Sequence, residues 1–229
     1  MTGYVFLGVR RGDEYKVAEI NVHGLGDDQF FKELKAEYYT MKGYLWRLFS
    51  IWKFKHCDFF KFEKFDYDCS VPRVEGMPEN DPEYLYVPKP RRLSDPMPPI
   101  DPHEFETRFY SCYGGGKRHK HIFLSCNNKI CRPDDDALER IPKRIKGLAV
   151  GIPKRGHFWG LHAREQISFF VVALYNFLLL FSSLVFWMCW LFVWKHPGDL
   201  QNASIITAVV STLLPMVWLP LFVNTDHVR

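Results

Sequence analysis

The chain has 229 residues, 24% charged and 47% hydrophobic, with a formal net charge of +4. That length can bury a sizeable core, and the small net charge does not read as a nucleic-acid footprint, which needs clustered base on one face, so no nucleic-acid partner is expected. Six cysteines are too sparse for a disulfide-rich secreted scaffold. The mean hydropathy of −0.18 averages two unlike parts: residues 1–166 hold almost all the charge, whereas 167–223 hold only Lys195 and Asp199.

The opening MTGYVFLGVRRGDEY meets acid and base before any long apolar run, so no signal peptide is expected, and neither a myristoylation pattern nor a prenylation box is present. Tyr4–Val9 and Tyr15–Val22 have the β-branched and aromatic content of two strands around the turn RRGD. Gly24 and Gly26 break the second strand, and Asp27 is placed to cap a helix from Asp28. Phe31, Leu34, Tyr38, Met41 and Leu45 then recur at helical spacing, and Cys57–Phe65 alternates like a third strand. Hairpin, helix and returning strand predict a small α+β cytosolic unit over 1–71, ubiquitin-like in element order alone. The basic, aromatic stretch Lys42–His56 reads first as core of that unit and second as a membrane-surface segment.

Residues 72–102 hold nine of the fifteen prolines and predict an extended linker without a core of its own. A cytosolic juxtamembrane region, 103–166, follows, with a helix expected over Asp134–Ile141, acidic at its start. Cys112, His119, His121, Cys126 and Cys131 are weak zinc candidates, because no CxxC pair accompanies them. Ordinary Cys and His beside a basic loop is the favoured reading, and no cofactor is expected. Gly114-Gly115-Gly116-Lys117 lacks the spacing of a phosphate loop. There is no G-x-S-x-G and no HExxH, so the chain is read as non-enzymatic.

Ile167–Trp194 carries no charge and would make roughly 42 Å of helix, more than the ~30 Å hydrocarbon core requires. Ala203–Val223 is likewise uncharged and roughly 32 Å long as a helix, with Pro215 and Pro220 expected to kink or shorten it. The turn 195–202 between them predicts a two-helix transmembrane hairpin over 167–194 and 203–223, with a short tail at 224–229. Arg140, Lys143, Arg144, Lys146, Lys154, Arg155 and Arg164 precede the first span while the turn offers only Lys195, which predicts cytoplasmic termini. Trp187, Trp190 and Trp194 fall on one helical face as a membrane-interface belt, and Trp159 with Phe158 is expected to serve the other interface.

Within the spans, Ser168, Tyr175 and Ser182 recur every seven residues, and Asn176 and Ser183 follow one position on. Ser204, Thr207, Ala208 and Ser211 make a small face on the second helix. Such stripes pack helices together, within one hairpin or between copies around an axis. In the second case Asp199 would ring the outer mouth as a weak cation filter.

The blocks FFKELKAEYYTMKGYLWRLFSIWKFKHCDFFKFEKF, PPIDPHEFETRFYSCY, RIPKR, FWGLHARE and HPGDLQNAS together resemble a group of membrane proteins from filamentous ascomycete fungi. The resemblance runs over nearly the whole chain, and the last block is its most specific part. It implies a fungal membrane protein ending in a two-helix hairpin and supplies no catalytic residues. The leading functional expectation is a homo-oligomeric membrane scaffold or channel-like assembly in the lipid bilayer. A membrane-tethered module that captures a cytosolic protein partner is the alternative.

Overall fold

A computed structural model describes residues 3–12, 14–43, 49–65, 70–90, 92, 97–111, 136–148, 156–196 and 198–223. The chain divides into two compact units: Met1–Phe49 with Phe54–Glu165, and Ser50–Lys53 with Gln166–Arg229.

In the first unit, β1 (Tyr4–Arg11) and β2 (Glu14–Asn21) form a hairpin in unbroken register from Tyr4↔Asn21 to Arg11↔Glu14. Both strands reach closer to the turn than their apolar pattern predicts, and Gly12 adopts φ +67° where β1 ends. Helix α1 (Asp27–Lys42) follows, with Gly26 and not Asp27 at its N-cap. Then come β3 (Trp52–Lys64), β4 (Ser70–Glu75), β5 (Tyr84–Leu85), α2 (Pro102–Tyr110), α3 (Ala137–Arg140), β6 (Lys143–Arg144) and β7 (Gly156–Ile167).

The sheet runs β4-β3-β7-β1-β6-β5, with β2 also paired to β1, and β7 lies parallel to β1 through Leu7↔Leu161 and Gly8↔His162. It curls so that β2 approaches β4. Pro72 sits on edge strand β4 opposite Phe62, where the register shifts; an edge or a bulge is where a residue without an N–H is tolerated.

Strand alternation sorts the side chains onto two faces. Val5, Leu7 and Val9 of β1, with Leu161 and Ala163 of β7, meet Phe30, Phe31, Leu34 and Tyr38 of α1 in the main core. Phe54 stacks on Phe109 at 3.8 Å there, and Phe31 meets Phe105 edge-on at 5.2 Å. On the opposite face Phe6, Phe62 and Phe158 form a second cluster, with Val17 and Phe60 packed against it. Gly8 makes that cluster possible, since a Cβ there would lie 2.6 Å from Phe62 Cζ.

The proline-rich stretch differs from the expected linker. Met77, Tyr84, Tyr86 and Ile100 are buried in the main core, and Tyr86 Oη donates to the Pro78 carbonyl at 2.6 Å. These four turn inward between the prolines, whereas Val74, Leu85, Val87 and Met97 stay exposed. Nor is 103–166 separate from 1–71: it contributes β7, which lies between β1 and β3 in the sheet. The expected acidic helix is the short α3, and Asp27 accepts the N–H groups of its Ala137 and Leu138 at 2.9 and 3.0 Å. The same carboxylate pairs with Arg108 at 2.8 Å, both side chains being buried. Lys42–His56 resolves in part: Phe54 is core as expected, Phe49 is exposed, and 44–48 lie outside the described residues.

In the second unit, α4 (Phe169–Met188) continues through a π-helical turn (Cys189–Val193), and α5 spans Leu200–Val223. Phe169–Val193 is long and apolar enough to cross a membrane. α5 runs through Pro215 and Pro220 without ending; each proline removes one backbone bond, and the ladder on either side carries the helix past it.

Candidate functional site

α4 and α5 carry many of the positions singled out in the sequence. Both helices are apolar almost all round, so their few polar side chains decide what the pair can do. Asn176 Oδ1 accepts a hydrogen bond from Trp218 Nε1 at 2.7 Å, a side-chain bond that joins the two helices. The hydroxyls behave otherwise. Ser182 Oγ donates to the Leu179 carbonyl at 2.8 Å, Ser183 Oγ to that of Leu180 at 2.8 Å, and Ser204 Oγ to that of Gln201 at 3.0 Å. Each is satisfied on its own helix, because a hydroxyl one turn on from a carbonyl reaches it at no cost in packing.

Leu180, Leu184, Trp187, Leu200, Ser204 and Thr207 line an apolar groove of about 540 Å³ between the helices. Ala208 and Ser211 are exposed, and Tyr175 is half-buried. Ser168 lies at the start of α4: its N–H donates to the Ile51 carbonyl at 2.8 Å, and its own carbonyl accepts from Val172.

The turn is built around Asp199. Its carboxylate accepts from Asn202 Nδ2 at 3.0 Å, from the Asn202 N–H at 3.4 Å and from Trp190 Nε1 at 3.4 Å. The Asn202 side-chain bond leads in holding this carboxyl below its ordinary range. Asp199 thus serves at the start of α5, where an acidic group suits the unpaired N–H groups. Trp190 also stacks on His196 at 4.6 Å and meets Trp194 edge-on at 5.9 Å. Trp190 and Trp194 thus lie together beside the turn, while Trp187 lines the groove.

Trp159 and Phe158 differ from expectation. Trp159 packs against the main core and its N–H donates to Tyr84 Oη at 2.7 Å, while Phe158 is 1% exposed. Both are sheet residues on opposite faces of β7. Cys112, His119, His121, Cys126 and Cys131 lie outside the described residues. Among the described residues no group of three His, Cys, Asp or Glu is placed to hold a metal ion.

A second cluster escaped the sequence reading. His56, Asp58 and Phe60 of β3 share a face with His162 and Arg164 of β7. Asp58 accepts from Arg164 Nε at 2.5 Å and contacts His56 Nε2 at 3.2 Å. Burial alone would raise the Asp58 carboxyl, but these bonds from His56 and Arg164 outweigh it and hold it below the ordinary range. His162, 6% exposed, has Phe60 edge-on at 5.1 Å and Tyr15 at 5.5 Å, and neither ring nitrogen has a hydrogen-bond partner among the described residues. Burial first, and the Arg164 charge second, lower its pKa to about 4. It is a neutral, enclosed imidazole, suited to acid sensitivity and not to proton transfer with solvent. The alternation of Phe158, Gly160, His162 and Arg164 was the available signal for it.

The chain matches no family model, no curated protein and no solved structure.

Proposed function

We propose that this chain is a two-span integral membrane protein that holds its α+β unit at the cytosolic surface as a protein-interaction module. The observation that carries the membrane reading is the exposure of α4. Only 11% of its apolar span is buried within the protein, and Phe170, Phe177, Leu178 and Phe181 all face outward. A core helix of a soluble protein would bury such side chains, whereas a helix in lipid has no need to. The length of α5 and its bond to α4 through Asn176 support a second span. The termini then lie in the cytosol, on the side with the basic flank. The HPGDLQNAS block supports grouping the chain with the fungal membrane proteins it resembles.

Between tethered module and self-associating assembly, the hydrogen bonding of the helices favours the module. Ser182, Ser183 and Ser204 are satisfied on their own helices and Asn176 by Trp218, which leaves little polar surface to recruit neighbouring copies. The order β2-β1-β7-β3-β4, with β1 and β7 parallel and α1 after the first hairpin, supports a ubiquitin-like reading of the sheet. Alkaline carbonate extraction of the full chain tests the membrane reading. Retention in the membrane pellet is expected, and release to the supernatant overturns it. Mass in detergent tests the module reading: a monomer is expected, and a closed oligomer favours the scaffold or channel-like assembly.

A further inference from the structure

We propose that the first residues of β3 lie against the start of α4 and form with it an aromatic collar seated in the lipid headgroup layer, with Trp52, Phe169 and Phe170 as its contact residues. The inference rests on the membrane reading above and adds to it a surface at Trp52, Phe169 and Phe170 in place of the one expected at Phe158 and Trp159.

Three observations carry it. Ser50–Lys53 belong to the same compact unit as the apolar helices and not to the unit containing the rest of β3. The tie is a backbone bond, Ser168 N–H to the Ile51 carbonyl at 2.8 Å, at the residue where β7 gives way to α4. Ser50 Oγ accepts the Trp52 N–H at 3.0 Å and fixes the bend that brings the segment there.

Exposure is the second observation. Phe169 and Phe170 are 75% and 70% exposed, Trp52 and Ile51 are half-buried, and Lys53 is exposed. Exposed aromatic rings beside a lysine, at the end of a lipid-crossing helix, match the composition of a membrane interface. Lys53 suits the anionic headgroups of a cytoplasmic leaflet.

Length is the third. Phe169–Val193 has 25 residues, about 37 Å of helix against a hydrocarbon core of about 30 Å. The excess is taken up by tilt or by roughly one turn outside the core, and exposed aromatic rings at both ends suit the second. The far end carries Trp190 and Trp194, so the near end with Phe169 and Phe170 completes a belt at each interface.

Photocrosslinking of the full chain, reconstituted in phosphatidylcholine vesicles containing phosphatidylserine, tests the collar. p-Benzoyl-phenylalanine is placed singly at position 52, 170, 178 or 59. Leu178 faces out from the middle of α4, and Phe59 is 2% exposed in the core. Positions 52 and 170 are expected to label phospholipid about tenfold above position 59, comparably to position 178. Labelling at 178 with core-level labelling at 52 and 170 overturns the collar and leaves the membrane reading intact. Core-level labelling at 178 as well overturns both. Trp52→Phe gives a second readout without a bulky probe: the fluorescence it removes should be quenched more by lipids brominated near the glycerol than by lipids brominated near the chain end. Equal quenching, or none, overturns the collar.

Discussion

Trp218 Nε1 donates to Asn176 Oδ1 at 2.7 Å and so places the one amide of α4 against the one indole N–H that α5 directs at it. In an apolar surrounding, an amide without a partner costs free energy that the bond removes. Trp218→Phe should lower the stability of the helix pair by about 1–2 kcal/mol. Adding Asn176→Leu to Trp218→Phe should restore most of that loss, because neither partner is then left alone. Reversible unfolding in mixed detergent micelles checks both variants; equal stability of wild type and Trp218→Phe would show that the bond carries nothing.

His162 makes the first unit acid-sensitive. Its pKa falls from 6.5 to about 4 on folding. Between those values the unfolded chain takes up a proton that the folded chain refuses, so stability is flat above pH 6.5 and falls as pH drops towards 4. The full loss is about 3 kcal/mol, from roughly 1.4 kcal/mol per pKa unit. Asp58 acts in a separate window: its depressed carboxyl contributes stability above the ordinary carboxylate value of 3.8 and loses it only as pH falls further. Denaturant unfolding at a series of pH values should show the His162 slope in wild type and none in His162→Phe. A slope that survives the substitution would assign the acid sensitivity to another group.

Gly8 and Phe62 are coupled through space. A Cβ at position 8 would lie 2.6 Å from Phe62 Cζ, and that ring is fully buried against Phe158 at 5.4 Å. Gly8→Ala should therefore destabilise the sheet by about 1–3 kcal/mol through overpacking. Phe62→Leu in the same chain should recover part of it, so the double variant is less than additive. Strict additivity in thermal unfolding would mean that the backbone shifts and the ring does not matter.

Legibility from sequence followed the range of the interaction. The first hairpin, α1 and the apolar helices were readable because their patterns repeat within a few residues. Residues such as Tyr84, Tyr86 and Ile100 were not, since prolines around them mask any period and their burial depends on strands far along the chain. Phe158 and Trp159 show the same failure at a site: the alternation of FWGLHARE is that of a strand, but its closeness to the span drew a membrane reading. Asn176 was recognisable as an amide among apolar residues. Its partner Trp218 depends on how α5 lies along α4, which no local pattern encodes.

Burial separates two ion pairs of similar geometry. Arg108 and Asp27 meet at 2.8 Å with side chains 5% and 4% exposed, whereas Arg73 and Glu63 meet at 2.7 Å with 53% and 31% exposed. Arg108→Ala should cost about 3–5 kcal/mol, because it strands the Asp27 carboxylate in the core beside α3. Arg73→Ala should cost no more than about 1 kcal/mol, since water screens that pair. Urea midpoints of the two variants check the ranking, and similar midpoints would remove the buried network from any account of how α1, α2 and α3 are held together.

The folded state also sharpens the topology. Of the seven basic residues before the first span, Lys143 and Arg144 are 3% and 4% exposed inside the sheet unit; Arg144 pairs with Glu83 at 2.6 Å, and Lys143 donates to the Leu138 carbonyl. Topogenic charge counts within about 15–20 residues of a span, which leaves Lys154, Arg155 and Arg164 against Lys195 in the turn. The bias is smaller than the full count implies, yet its sign is unchanged, in keeping with the proposed cytosolic placement of the α+β unit. In sealed vesicles with their cytosolic face outward, protease should therefore digest the α+β unit and spare the turn 195–202. Tags at both termini should be lost together. A turn cleaved from the cytosolic side while α4 stays in the membrane would reverse the orientation, and loss of the N-terminal tag with survival of the C-terminal tag would mean that α5 does not cross.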